Sequence, residues 1–372
     1  MEIGIITFHK AENFGSALQA FALAKILEKE HHRVTIIDFV LEKDMVQYKL
    51  FRVPLYKEWK RAVLVDLLYF VRNYKRKKAF KNFRKIYLKL TEKTFYAGKD
   101  KLDELNQSFD AFVCGSDQIW NLNCTEEFVA EYFLEFVQNE KVKISFSPSM
   151  PSRVSKEHYQ DLRRSINRID KVSVRENETI EYLQKEVGVN KEIVHTVDPT
   201  LLLSSEEYIK YFDIEKVKTD CYIFVYILGG REQYKSIIAE ANKVQKKTGY
   251  RMKYVCIRKL RGLKNAEYCL GIGPKQFLEQ VYNAEYIITD SFHAVVFSII
   301  FSKKLCAFPR VGSSSRMEEL LQAVGMNVCM YNENNDLWMH EDPQNRKMEI
   351  IEKLVLPSKE FIAKNLGKER VI

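Results

Sequence analysis

The chain has 372 residues, too many for one ordinary α/β core, and its 46% apolar and 29% charged residues fit a two-domain globular protein. Seven scattered cysteines without a CxxC argue against a disulfide framework or a zinc site and fit a reducing compartment. The net charge of +9 is local: thirteen Lys/Arg against two acids make the segment Arg52 to Lys89 +11 and leave −2 elsewhere, so a global nucleic-acid-binding surface is not implied.

The N-terminal MEIGIITFHK reads as a strand and lacks the features of a signal peptide, and the apolar run AVLVDLLYFV is too short to cross a bilayer. Ile3, Ile5 and Ile6 begin a buried strand, Leu18, Phe21, Ala22, Leu23, Ile26 and Leu27 recur at helical spacing, and Val34 to Phe39 is a second strand. This βαβ unit is expected to be right-handed and parallel. Residues 52–90 are predicted as a basic helical insertion with an apolar stripe that includes Phe80 and Phe83. DAFVCGSDQIWN and KISFSPS supply further strands, and KVSVRENETIEYLQKEVG reads as strand then helix, capped by Asn177.

After HTVDPTLLL the pattern restarts. CYIFVYILGG, YRMKYVCI, AEYIIT and KLCAFP are strands, and helices follow at REQYKSIIAEANKVQKKTG, 274–283, HAVVFSIIFS and SRMEELLQAVG. RKMEIIEKLV and SKEFIAKNLG end the chain as helices. The expected fold class is α/β, two Rossmann-like domains with parallel sheets facing a central cleft. The first spans 1–198 and carries the acceptor side, the second spans 199–345 and carries the donor side, and the helices of 346–372 return to the first. Ligands belong beyond the carboxyl ends of such strands.

Three polar turns lie there. In HKAENFGSALQ, Asn13, Gly15 and Ser16 stand where the loop becomes a helix. An anion or sugar hydroxyl site and a simple capped turn both remain open, and no GxGxxG is present. In VCGSDQIWN, Ser116, Asp117, Gln118 and the Trp120 indole after the pliant Gly115 exceed what a cap needs and point to a ligand. In ITDSFHAVVFSII, Asp290 or Ser291 as N-cap places His293 in the first helical turn, where the dipole favours bound anions. Arg175, ending KVSVR before Glu176, suits a carboxylate or phosphate, or else an ion pair with Glu176 or a neighbouring acid. Arg316 in SSSRMEELL either binds phosphate or only caps.

GIITFHKAENFGSALQAFAL, FVCGSDQIWN, VSVRE, VDPTLLL and TDSFHAVVFSIIF, in this order across residues 3–325, resemble the polysaccharide pyruvyl transferase family. The resemblance implies a fold like the GT-B glycosyltransferases and transfer of a pyruvyl group from phosphoenolpyruvate to two hydroxyls of a sugar. It places donor binding on Arg175 and His293. Two departures stand out: FSPSMP has Pro151 where relatives often carry glycine, and Ser291 stands where some carry arginine.

On this reading Arg175 holds the donor carboxylate, and His293, Ser291, Phe292 and Arg316 lie against its phosphate. Asn13, Gly15, Ser16, Ser116, Asp117 and Gln118 face the acceptor. Asp117 orients or deprotonates the acceptor hydroxyl, Glu176 stands second for that role, and His293 completes the acid–base set. No metal or cofactor is expected. The expected location is cytoplasmic, with the basic segment 52–89 touching anionic lipid at the inner face of the membrane and serving a lipid-linked acceptor. Nucleic acid is not an expected partner. The alternatives are a GT-B glycosyltransferase using a nucleotide sugar and a non-catalytic carbohydrate- or nucleic-acid-binding protein.

Overall fold

The computed structural model describes residues 1–41, 59–217, 221–256, 259–309, 314–333, 336–340 and 348–367. The chain divides into two units, one of Met1–Leu203 together with the chain from Val355, the other of Ser204–Leu354.

In the first unit, β1 (Glu2–Ile6) leads through α1 (Phe14–Lys29) to β2 (Arg33–Ile36). β3 (Phe39–Val40), α2 (Trp59–Tyr87) and β4 (Phe95–Tyr96) follow. Then come β5 (Ala111–Cys114), β6 (Val142–Ser145), α3 (Tyr159–Arg168), β7 (Lys171–Val174), α4 (Asn177–Glu181) and β8 (Ile193–His195). The sheet order is β2-β1-β5-β6-β7-β8. Every pairing in it is parallel, so all carboxyl ends lie along one edge. Strands buried on both faces read as unbroken apolar runs, as in AFVC of β5.

The second unit repeats the alternation: α5 (Ser205–Phe212), β9 (Tyr222–Ile227), α6 (Arg231–Thr248), β10 (Arg251–Cys256), β11 (Ala266–Tyr268) and α7 (Pro274–Asn283). It continues with β12 (Tyr286–Thr289), α8 (Phe292–Ile300), β13 (Lys304–Ala307) and α9 (Ser314–Ala323). Its parallel sheet is ordered β11-β10-β9-β12-β13. Helix α10 (Met348–Leu366) closes the chain.

Several details depart from the sequence reading. The strand expected over Val34 to Phe39 stops at Ile36, and Phe39–Val40 pairs with Phe95–Tyr96 instead. Strands β8 and β11, three residues each, are too short to carry a period-2 signal. Asn177 is the first helical residue of α4, and the cap position belongs to Glu176. The two C-terminal helices are one, running through Pro357. The first division falls at Leu203 rather than 198, because the buried turn Pro199–Leu202 packs against α1. The second falls at Leu354, not 345. From Val355, α10 belongs to unit 1, where the Val197 amide donates to Ser358 Oγ at 2.9 Å and Phe361 meets Phe146.

Of the basic insertion, 52–58 lie outside the described residues, and α2 forms over 59–87. Phe80 stacks on Phe14 with ring centroids 5.5 Å apart, and Phe83 meets Phe21 edge-on. This contact seats α2 on α1. Phe80→Ala is expected to lower the unfolding free energy by about 3–5 kcal/mol, read by urea denaturation. Ala at the exposed Ile86 should change it by no more than about 0.5 kcal/mol.

Candidate functional site

The carboxyl edge of the first sheet carries a connected polar network. Arg175 follows β7 and Asp198 follows β8, and the guanidinium Nη2 meets the Asp198 carboxylate at 2.8 Å with both side chains almost fully enclosed. The neighbouring acid that pairs with Arg175 is therefore Asp198. The other Asp198 oxygen accepts from the Thr200 amide at 2.9 Å and its hydroxyl at 2.6 Å, capping the Pro199–Leu202 turn. Arg175 also donates to Ser116 Oγ after β5, and Ser116 Oγ donates to the Ser147 carbonyl after β6 at 2.8 Å.

The β1 and β5 turns meet directly. Ser16 Oγ donates to Asp117 Oδ2 at 2.5 Å, while Asp117 Oδ1 accepts from the Gln118 amide at 2.9 Å. Gln19, one helical turn beyond Ser16, donates to Thr7 Oγ1 at 2.9 Å and accepts from the Ser116 amide at 3.2 Å. Thr7 Oγ1 donates in turn to the Ser116 carbonyl. The Gly115–Ser116 peptide is cis, and Gly115 sits at φ +122° against the Phe146 carbonyl. Beneath the network, the fully buried Ser145, Ser147, Ser173 and Thr196 satisfy one another and the strand ends. Burial pushes the nearby His195 below the usual imidazole range, against the opposing pull of an Arg175 backbone hydrogen bond and the Glu176 charge.

Other residues of these turns have structural partners. Asn13 is the N-cap of α1 and its side chain accepts from the Gly15 amide at 2.9 Å, so that N–H is engaged by the cap. Gln118 Oε1 accepts from Asn121 Nδ2 at 2.6 Å within its own turn. Glu176 accepts from Ser149 Oγ at 2.5 Å and the Met150 amide at 3.1 Å, holding the FSPSMP segment. Trp120 does not face a ligand: it is fully buried, stacks on Phe133 and donates to the Tyr132 carbonyl at 3.0 Å.

In the second unit, Asp290 is not the helix cap. Its two oxygens accept from the Leu228 and Gly229 amides, each at 2.7 Å, tying the loop after β9 to the end of β12. Ser291 caps α8, accepting from the Ala294 amide at 3.4 Å, and its own amide donates to Thr289 Oγ1 at 3.0 Å. The Ser291 N–H is thereby engaged inside the turn. Phe292 and His293 open the helix, both half-buried. Arg316, buried near the start of α9, lies over the Phe292 ring at 5.5 Å.

The expected site residues thus fall into two groups. Ser16, Ser116, Asp117 and Arg175 join in unit 1, and Ser291, Phe292, His293 and Arg316 cluster in unit 2. Sequence reading missed Thr7, Gln19 and Ser147, and did not assign Asp198 as the partner of Arg175. Asp198 had a signal, an acid just past a strand end, the placement it shares with Asp117 and Asp290.

A second cluster beside β1 was also missed. The Asp38 carboxylate meets His9 Nε2 at 2.7 Å and Lys10 Nζ at 2.8 Å, and accepts from Thr94 Oγ1 at 2.6 Å. Burial alone would raise the Asp38 pKa, but these partners, His9 foremost, hold the carboxyl well below its usual range. Among the described residues, no group of three or more His, Cys, Asp and Glu has metal-binding geometry.

The model of one protein family, polysaccharide pyruvyl transferase, matches residues 13–310. The chain matches none of the curated proteins. Among solved structures, UDP-GlcNAc 2-epimerase from Neisseria meningitidis bound to UDP-GlcNAc is 10% identical with a TM-score of 0.52, over 99% of this chain and 100% of that one. A putative UDP-N-acetylglucosamine 2-epimerase from Listeria monocytogenes is 10% identical with a TM-score of 0.51, over 99% and 91%. These are GT-B enzymes, and at such identity the likeness establishes the fold alone.

A Cβ at Gly115 would lie 2.1 Å from the Phe146 carbonyl oxygen at a positive φ. Gly115→Ala is expected to destabilise by more than about 1 kcal/mol, seen as a lowered melting temperature. The folded-state pKa of Asp38 lies below the unfolded one, so its stabilisation is full above about pH 4 and is lost as the pH falls toward the folded value. Asp38→Asn should lower stability at pH 7, and its deficit should shrink below about pH 4 in urea titrations across a pH series.

Proposed function

Because the chain belongs to the polysaccharide pyruvyl transferase family, we propose that it transfers the pyruvyl group of phosphoenolpyruvate to two hydroxyls of a sugar, free or lipid-linked, closing a cyclic ketal. The match over residues 13–310 carries this reading. The chemistry of the two residue groups supports it.

Phosphoenolpyruvate carries a carboxylate and a phosphate, so its pocket needs fixed cations and helix N-termini. Arg175 is such a cation, held in place by Asp198 and Ser116. A donor carboxylate bound there shares the guanidinium with Asp198. In unit 2, His293, in the first turn of α8, and Arg316 have the chemistry to serve a phosphate. The reaction begins with protonation of the methylene carbon of the enol phosphate, which generates an oxocarbenium-like centre. One sugar hydroxyl attacks that centre and loses its proton. Phosphate then leaves, and the second hydroxyl adds and closes the ketal. Of the two protons released by the sugar, one replaces the proton delivered to the new methyl group and the other leaves with phosphate. Asp117, joined to the Ser16 hydroxyl at 2.5 Å, orients or deprotonates the acceptor. Glu176, committed to Ser149 and Met150, serves better as the holder of that segment than as a base.

His293→Ala is expected to cut phosphate release from phosphoenolpyruvate by at least about 100-fold with unchanged circular dichroism. Near-normal turnover would remove His293 from the mechanism. At position 175, alanine leaves the Asp198 carboxylate buried without its partner and should also cost about 3–5 kcal/mol of stability. Arg175→Lys keeps the charge but loses the fork, and is the cleaner test of donor binding. Calorimetry of the purified chain should register phosphoenolpyruvate, whereas heat from a nucleotide sugar alone would mark it as a glycosyltransferase.

A further inference from the structure

Helix α2 has one face seated on the fold and another left open. Phe80 and Phe83 turn inward, and Arg72 is only 8% exposed. Arg76 reaches the Glu12 carbonyl and lies 3.7 Å from its carboxylate, while Arg84 donates to the Lys10 carbonyl at 3.3 Å. The arginines of this stretch are therefore engaged by unit 1 itself.

Four of the lysines stand apart. Lys75, Lys78, Lys81 and Lys85 are all exposed, and no ion pair among the described residues involves them. Interleaved with them are Val71, Tyr74 and Ile86, which are 56%, 49% and 69% exposed. At about 100° per residue all seven fall on one face about 140° wide and about 22 Å long. From Tyr69 to Lys89 the sequence contains no acid.

A face built only for solvation mixes both signs of charge and does not need three large apolar side chains. A nucleic-acid surface uses the cations, but Val71 and Ile86 gain nothing from phosphates and offer no ring for stacking. An anionic bilayer takes both kinds of residue, lysines among the headgroups and apolar side chains at the acyl boundary. Among the described residues no helix is long and apolar enough to cross a membrane, so contact from this face is peripheral.

We propose that the exposed Val71–Ile86 face of α2 docks on an anionic lipid surface, with Lys75, Lys78, Lys81 and Lys85 at the headgroups and Tyr74 and Ile86 inserted between them. This goes beyond the transfer chemistry and is tested without it.

The test is sedimentation of the full chain with vesicles of phosphatidylglycerol and phosphatidylcholine, compared with phosphatidylcholine alone. Binding is expected only to the anionic vesicles and should weaken with salt. Replacing the four lysines by glutamine should reduce binding about five-fold per lysine. Ile86→Ser with Val71→Ser should weaken it while leaving its salt dependence intact. All six positions are exposed, so melting temperature and phosphate release with a soluble acceptor should not change. Equal binding to both vesicle types, undiminished binding by the glutamine variant, or retention on a single-stranded oligonucleotide with none on vesicles would each overturn the proposal.

Discussion

A guanidinium taken out of water needs a matching charge, and in unit 1 the pairing of Arg175 with Asp198 organises the carboxyl edge of the sheet. Through Thr200, Asp198 caps the turn that packs on α1, and through Ser116, Arg175 reaches the ends of β5 and β6. A buried pair of this kind adds little net stability, but removing one partner strands the other. Its value lies in geometry: the ends of β5, β7 and β8 cannot shift independently. The hydroxyls of Ser145, Ser147, Ser173 and Thr196 complete the arrangement by satisfying polar groups where water has no access.

Unit 2 meets a similar demand with backbone donors. Asp290 is matched by the Leu228 and Gly229 amides, which leaves the capping of α8 to Ser291. A cap must accept a hydrogen bond, which a serine hydroxyl can do. The cap sets Phe292 and His293 as the first helical residues, and Arg316 meets Phe292 from α9.

The polar turns themselves were readable because each interrupts an apolar run at a strand end, and Ser16, Ser116 and Asp117 of those turns come together with Arg175 in unit 1. Their individual duties were not readable. Trp120 has the same local context whether it faces a sugar or the core, and its contact with Tyr132 comes from a segment with no signal of its own. Glu176 stands beside Arg175 in sequence yet points to Ser149 and Met150, since successive residues leaving a strand diverge. The basic run of α2 posed the same difficulty. Composition registers thirteen cations between Arg52 and Lys89, but only the seating of Phe80 and Phe83 on α1 separates the inward arginines from the outward lysines.

The sequence by itself determined the order of the longer strands and helices, the parallel βαβ connections and the places where polar residues break the core, and its motifs carried the family resemblance. Apart from that resemblance, these features depend on periodicity, capping and composition, which are local. The tertiary structure alone decided that Asp198 answers Arg175, that Ser16 binds Asp117, that the last two helices are one, and which side of α2 meets solvent. Each of the two pairings joins residues from different strand ends, Ser16 and Asp117 lying 101 positions apart. No window of sequence contains both partners, and only the packing of the sheet brings them within hydrogen-bonding distance.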